Sequence, residues 1–412
     1  MARDNHFASI DIGTTKVCTI VGNVGEAGDV QILGVGVSPS RGLRKGIVVN
    51  IDETTESIRE SVNKAEQSSG TKIISAYVGI SGGHISSINN RGVVSIARTD
   101  RLISDEDIVR VLEAARSINI PSNREIIHVI PRSYVIDGQE GVKNPIGMHG
   151  FRLDAETHII TGAITSIQNL VKCVNNAGIE VDDLVLQPLA SSEAVITDEE
   201  REIGVVLADI GGGTTDVAIF IDGSIWHTAV LPVGGYHLTN DIAIGLRTPF
   251  ATAEEIKAKY GHAIPDTVSS SENIQIVCFG SEGTRAVPRK SLSEIIRART
   301  EEVLEMILLE IKRSGLDAMI PAGLVMTGGT SNLQGIEVLA SEVLQLPVRV
   351  GKPRGLHGLV DTVNNPAYAT SVGLLLWGLK HGGMQRRTRK NGHSIGSFLK
   401  RFVFWMRELI PQ

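Results

Sequence analysis

Aromatic side chains are scarce in this chain, only 4% of its 412 residues. Its core must therefore rest on Ile, Val, Leu and Ala. Cysteine is scarcer still: Cys18, Cys173 and Cys278 are the full complement, far apart and without a Cys-x-x-Cys pair. That excludes a disulfide framework and a cysteine-rich metal site, and it fits a reducing compartment. No apolar run reaches the ~18–20 residues that a membrane-spanning helix needs. The opening residues, MARDNHFASIDIG, hold no signal-peptide core. The expectation is a protein kept in the cytoplasm that meets any membrane from that side.

The hydrophobic content of 42% and charged content of 21% are ordinary for a globular chain. The length implies about two or three domains. Charge is uneven. From His381 onward Arg386, Arg387, Arg389, Lys390, Lys400, Arg401 and Arg407 face Glu408 alone, a net of +6. The whole chain carries −6, so residues 1–380 carry −12. A basic tail on an acidic body argues for a separate partner of the tail, an anionic lipid surface or nucleic acid.

Glycine is abundant, with 44 residues, and its placement is informative. The stretch 9–17, SIDIGTTKV, is echoed at 208–217, ADIGGGTTDV. Each copy reads as a strand, a tight Gly/Thr turn and a second strand. Two such hairpins half a chain apart predict two similar lobes. Helices are predicted at 52–67, 104–117, 167–177 and 291–314, and strands at 71–80 and 324–326. Ser104, with acidic residues after it, and the glycines at 178 and 315 mark helix ends. Strands and helices alternate, which argues an α/β fold.

Two stretches look inserted. Residues 82–163 read as a compact α+β unit, with strands at 84–89, 92–97, 125–137 and 157–165 and the helix from Ser104. Residues 231–305 form the other. The first lobe then comprises 1–81, 164–200 and 363–380, and the second 201–230 and 306–362. Residues 381–396 are a Gly-, Arg- and Lys-rich linker, and 397–411 form a separate final segment.

The hairpin turns carry the chemistry. A triphosphate needs close backbone N–H groups, hydroxyls and a bridging metal. Gly13, Thr14 and Thr15 in one turn and Gly211, Gly212, Gly213, Thr214 and Thr215 in the other supply the first two. Asp11 and Asp209 end buried strands and would face the gap between the lobes. There they could hold Mg²⁺ through water, beside phosphate oxygens. Lys16 is placed to reach a β- or γ-phosphate. A plain hairpin connector is the alternative reading for one such turn alone; two matched copies and a third element argue against it. That element is 325–335, where Gly328, Gly329 and Thr330 follow an apolar strand and offer a flat shelf to adenine or ribose.

These elements in this order resemble the actin-like ATPase superfamily, a fold of duplicated ribonuclease-H-like lobes. Its five sequence regions fall on 10–17, 186–195, 208–217, 325–335 and 365–374. Residues 253–261 are similar to the superfamily segment that contacts ribose and adenine, which implies Glu254 and Lys257 as nucleotide contacts. The superfamily's water-positioning residue falls on Gln187. An uncharged amide orients water but is a poor base, so weak or no ATP hydrolysis is expected, with ATP acting as a switch.

On a helical wheel of the final segment, Phe398, Leu399, Phe402, Val403, Trp405, Met406, Leu409 and Ile410 share one arc, opposite Lys400, Arg401, Arg407 and Glu408. Phe404 departs and sits among the charges. This is the pattern of an interfacial helix lying in a membrane surface. Each basic residue near anionic lipid adds ~1 kcal/mol, and each partly buried apolar side chain roughly 1 kcal/mol or more. A helix docked on the body is the alternative. Nucleic acid is disfavoured, because nothing here offers base-reading chemistry.

An actin-like chain with an insert near 82–163 and a tethered amphipathic tail resembles the FtsA family of bacterial cell-division proteins, over residues 7–409. That resemblance implies self-assembly through actin-like contacts and the insert, and contacts with later divisome membrane proteins. It implies a tail that fastens filaments of FtsZ to the cytoplasmic face of the inner membrane at the division site. It also implies that the FtsZ C-terminal peptide docks on the second insert, where 285–300 matches and the carried-over residues are Lys290, Arg299, Arg285 and Arg297. The competing readings are a pilus-assembly ATPase relative and a small-molecule kinase of the same superfamily.

Overall fold

The computed structural model describes residues 6–24, 30–280 and 283–382. The remainder of the linker and the predicted helix 397–411, with all its proposed lipid-facing residues, lie outside the described residues.

The apolar runs on either side of each Gly/Thr turn become paired strands, and each pair seeds a sheet. The first sheet runs, in spatial order, Val30–Pro39, Lys16–Val24, His6–Ile12, Ser75–Ile80, Glu180–Leu186. The second runs Ser224–Leu231, Thr215–Ile221, Val205–Ile210, Leu324–Thr327, Val348–Val350. In both, three consecutive antiparallel strands are followed by two parallel ones. The predicted duplication is visible strand for strand. A sixth strand, Leu356–Gly358, extends the first sheet beside Val30–Pro39. It lies within the stretch 306–362 that sequence pattern placed in the second lobe, so the chain returns to the first sheet before residue 363.

Helix starts follow local chemistry. The helix Ile51–Ser69 is capped by Asn50, whose side chain accepts from the Asp52 and Glu53 N–H groups at 3.1 and 3.3 Å. It ends at Gly70, which is left-handed with φ 66°. In the inserted unit, the Ser104 N–H donates to the Asp107 carboxylate at 2.8 Å at the head of helix Asp105–Arg116. That unit is a four-stranded antiparallel sheet in the order Ser86–Ser95, Arg152–Ala163, Arg124–Ile136, Gln139–Val142. The two strands expected at 84–89 and 92–97 are one. Gly92 does not break it: a Cβ there would lie 2.1 Å from the Val111 carbonyl oxygen. The glycine lets the helix approach the sheet, and Ile108, Val111 and Leu112 bury against Leu153 and Tyr134. Each such side chain contributes roughly 1.5–3 kcal/mol.

Between the two large sheets run two helices, Gln187–Val195 and Ala369–Gly382. They touch where a Cβ on Gly373 would fall 1.8 Å from the Ala190 carbonyl oxygen. Their apolar side chains join Cys18 and Ile20 of the first sheet and Leu207, Ala218 and Phe220 of the second in one core. A helix apolar on all sides must be buried, and these two are buried between the lobes. Residues 235–296 wrap a smaller core of Leu238, Ile242, Leu246, Ile256, Ile274, Leu292 and Ile296. Among the described residues no helix is long and apolar enough to cross a membrane.

Candidate functional site

Both hairpin turns close in the same way. The Gly13 N–H donates to the Lys16 carbonyl at 3.0 Å, and the Gly211 N–H to the Thr214 carbonyl at 2.9 Å. The strands behind them pair Asp11 with Cys18 and Asp209 with Asp216. This register corrects the sequence alignment of the two copies. Thr14 and Thr15 correspond to Gly212 and Gly213, not to Thr214 and Thr215. Lys16 corresponds to Thr214, and Cys18 to Asp216. The turns meet face to face, so a Cβ on Gly212 would lie 2.2 Å from Thr15 Oγ1, and one on Gly213 2.8 Å from Thr14 Oγ1. The glycines of one lobe make room for the threonines of the other.

Behind the turns the two aspartates are buried and symmetrically held. Asp11 accepts from Gln187 Nε2 at 3.1 Å and from Ser371 Oγ at 3.0 Å. Asp209 accepts from Ser191 Oγ at 2.6 Å and Thr370 Oγ1 at 2.9 Å. Each carboxylate thus takes one donor from each crossing helix. Asp216 accepts from the Ser81 hydroxyl. Burial pushes Asp11 up to about 6, against the pull of Lys16, and Asp216 up to about 7. It raises Asp209 as well. Three buried acids facing one space resist ionisation together, and an added cation would reverse that. Among the described residues no three acidic, His or Cys side chains converge tightly enough to ligate a metal directly. A divalent ion here would be held through water and ligand oxygens, which suits Mg²⁺.

The space is a cleft of about 470 Å³. Asp11, Gly13, Thr14, Thr15, Lys16, Gln187, Asp209, Gly211, Gly212, Thr214, Glu254, Lys257, Gly328, Gly329 and Thr330, all singled out from sequence, line it. Two do not: the Thr215 hydroxyl is buried on the Val233 carbonyl at 2.9 Å, and Gly213 packs on Thr14. The carbonyls of Gly211 and Gly212 accept from the Gly235 and Tyr236 N–H groups, and Thr330 Oγ1 donates to Gly211 at 3.0 Å. What this turn can offer a phosphate is therefore N–H. Lys16 Nζ rests 3.3 Å above the Tyr368 ring, and burial lowers its pKa. On the far wall Lys257 Nζ pairs with Glu254 at 2.7 Å and bonds Thr239 Oγ1 at 2.8 Å.

Gly328 and Gly329 differ. Gly328 has φ 87°, and a Cβ there would lie 2.5 Å from both Asp209 Oδ1 and the Ile210 carbonyl. A Cβ on Gly329 meets only Ala367, at 3.8 Å. Sequence reading passed over Asp216, Ser81, Ser191, Thr370, Ser371 and Tyr368. The one signal available was hydroxyl side chains on otherwise apolar helices, Ser191 with Ser192 and Thr370 with Ser371.

A second concavity lies on the insert of the second lobe. Arg285, Val287, Ser291, Glu294, Ile295 and Leu246 line it. Of the four basic residues expected there, only Arg285 faces it. Lys290 pairs with Asp266 at 3.5 Å. Arg297 pairs with Glu301 at 2.8 Å. Arg299 is held by Asp241 at 2.5 and 3.2 Å and also by Glu302.

Comparison with known proteins bears on this arrangement. Residues 206–373 match the family described as cell division protein FtsA, and residues 82–161 match an SHS2 domain inserted in FtsA. A cell division protein FtsA of Pseudomonas aeruginosa is 47% identical over 374 residues, covering 91% of this chain and 89% of its own length. One of Escherichia coli K12 is 37% identical over 408 residues, covering 97% of each. The chain belongs to the FtsA family. Its fold is also that of more distant structures. A PilM–PilN type IV pilus biogenesis complex superposes with a TM-score of 0.66 at 17% identity, over 90% of this chain and 98% of that one. MreB5 of Spiroplasma citri bound to ADP superposes with 0.55 at 15%, over 94% and 99%. This FtsA-family chain is thus an actin-like, two-lobed α/β protein with an inserted α+β unit.

Proposed function

We propose that this FtsA-family chain binds ATP with Mg²⁺ in the interlobe cleft and uses it as a switch for assembly rather than as a fuel. The observation that carries this is the pair Asp11 and Asp209. They end matching strands of matching sheets, are held by the same two helices, and share a cleft with two glycine-bearing turns and Lys16. Phosphates would lie on the turns, the ion between the carboxylates, and the base and ribose between Gly328, Gly329, Thr330 and the Glu254–Lys257 pair. Gln187 donates its amide to Asp11 and cannot act as a base, so hydrolysis is slow or absent. Equilibrium binding of ATP, with and without Mg²⁺, tests the site. An ATP-independent chain would contradict it.

The wider reading joins this switch to cell division. Copies assemble through actin-like contacts and the insert, carry the FtsZ C-terminal peptide on the concavity lined by Arg285, and rest on anionic lipid at the cytoplasmic face of the inner membrane. Later divisome proteins join the assembly there. A tethered tail binds weakly alone, but many side by side on a polymer hold firmly. Flotation with anionic liposomes tests the tail: Trp405→Glu should abolish it, and unchanged flotation would sink the membrane argument. The same assay separates this reading from a pilus-assembly relative. A panel of small-molecule acceptors tests for a kinase: phosphorylation of one of them at a useful rate would favour that reading.

A further inference from the structure

The inserted unit is rooted in one lobe and fastened to the other. It leaves the first sheet at Ser81, after strand Ser75–Ile80, and returns through Arg152–Ala163 into helix Ile164–Asn176 on the first-lobe core. Its outermost strand, Ser86–Ser95, lies against Ser224–Leu231, the outermost strand of the second sheet. Such edges carry unpaired backbone groups. Here two carbonyls are taken by side chains with the strand's period of two. Ser87 Oγ donates to the Thr228 carbonyl at 3.0 Å, and Asn89 Nδ2 to the Trp226 carbonyl at 3.3 Å. The buried His158 bridges Asn89 Oδ1 at 2.7 Å and Thr228 Oγ1 at 2.9 Å. The Arg132 guanidinium lies 3.7 Å over the Trp226 ring, and Lys143 pairs with Glu202.

Among the described residues no backbone ladder joins the two sheets. The contact can therefore part without unmaking either one. The insert also reaches the cleft at its root, because the Ser81 hydroxyl donates to Asp216 across the lobes.

We infer that this contact is a clasp whose closure is coupled to occupancy of the cleft. Lobes that move apart break the clasp and widen the cleft in one motion. A ligand that holds turn 13–16 on one side and turn 211–214 on the other favours the closed arrangement. Such coupling is reciprocal: cutting the clasp weakens the ligand, and the ligand protects the clasp. The inference rests on the reading of the cleft as a nucleotide site.

The test uses the full chain with Arg132→Ala and, separately, Asn89→Ala. ATP with Mg²⁺ is titrated by calorimetry, and amide hydrogen exchange of 86–95 and 224–231 is followed with and without nucleotide. Both variants should bind at least about fivefold more weakly, the low end of ordinary coupling between sites. In the unaltered chain, nucleotide should slow exchange in both strands, although neither lines the cleft. Asn89 is exposed, so its variant reports even if Arg132→Ala unfolds. An affinity for folded Asn89→Ala within about twofold of the unaltered chain, below the usual range of coupling, overturns the clasp. An unaltered chain that does not bind ATP overturns the reading of the cleft itself, and the coupling with it.

Discussion

In the first lobe the turn at the cleft ends on Lys16; at the matching place in the second lobe it ends on Thr214. Two positions further on, Cys18 faces Asp11 across its hairpin, while Asp216 faces Asp209 across the other. The backbones agree in strand order, direction and register. The side chains do not. One lobe supplies a cation and hydroxyls, and the other supplies backbone room and an extra carboxylate. The frame is symmetric, and the two halves bring different chemistry to one cleft.

The strongest way to break that comparison is at Gly328. Alanine there meets Asp209 and the Ile210 carbonyl at 2.5 Å with φ 87°. Strain and overpacking each cost about 1–3 kcal/mol. Gly328→Ala should lower Tm markedly and abolish ATP binding, whereas Gly329→Ala should leave stability within about 0.5 kcal/mol. Thermal melts of the pair check this. Next in size is the cation. Lys16→Ala should weaken ATP by tenfold or more, since about 1.4 kcal/mol is tenfold and a buried charge partner is worth more than that. Thr214→Ala at the matching site should cost only a few-fold. Equal losses would erase the asymmetry.

A third test is pH. Burial raises Asp11 to about 6 and Asp216 to about 7, so the folded, empty protein binds more protons than the unfolded chain between the usual carboxylate range and those values. Stability then falls as pH rises through that window. The empty protein should melt higher near pH 5 than near pH 8, and Asp216→Asn should flatten the slope. Mg²⁺ with nucleotide should do the same by favouring the ionised acids. The smallest effect sharpens the second concavity. Arg285→Glu should weaken capture of the FtsZ C-terminal peptide more than Arg299→Glu, because Arg299 is already engaged by Asp241. Peptide titration against both variants decides the order.

What could be read from sequence was local. Ser104, Gly178 and Gly315 sit at or beside helix ends because capping and left-handed residues act within a few positions. Asp11 and Asp209 stood out because the motif repeats, and Lys16 because it directly follows the first Gly/Thr turn. What escaped depends on distant parts of the chain. The Thr-Thr pairs look equivalent in sequence, yet hydrogen-bond register shifts one against the other by two residues. Gly92 looks like a strand break until the helix it accommodates is packed upon it. Asp216 is held by Ser81 across the lobes, and Asp11 by Ser371 from the far end of the chain. No local pattern marks such pairs, because only the closed fold brings them together.

The two aspartates and the turns in front of them should act as one nucleotide site. Calorimetric titration of the full chain with ATP, with and without Mg²⁺, beside Asp11→Asn and Asp209→Asn, tests it most directly. One ATP should bind per chain, tightened by Mg²⁺, with most of the Mg²⁺ dependence lost in either variant. Mg²⁺-dependent binding that survives both substitutions, or no binding by the unaltered chain, would contradict it.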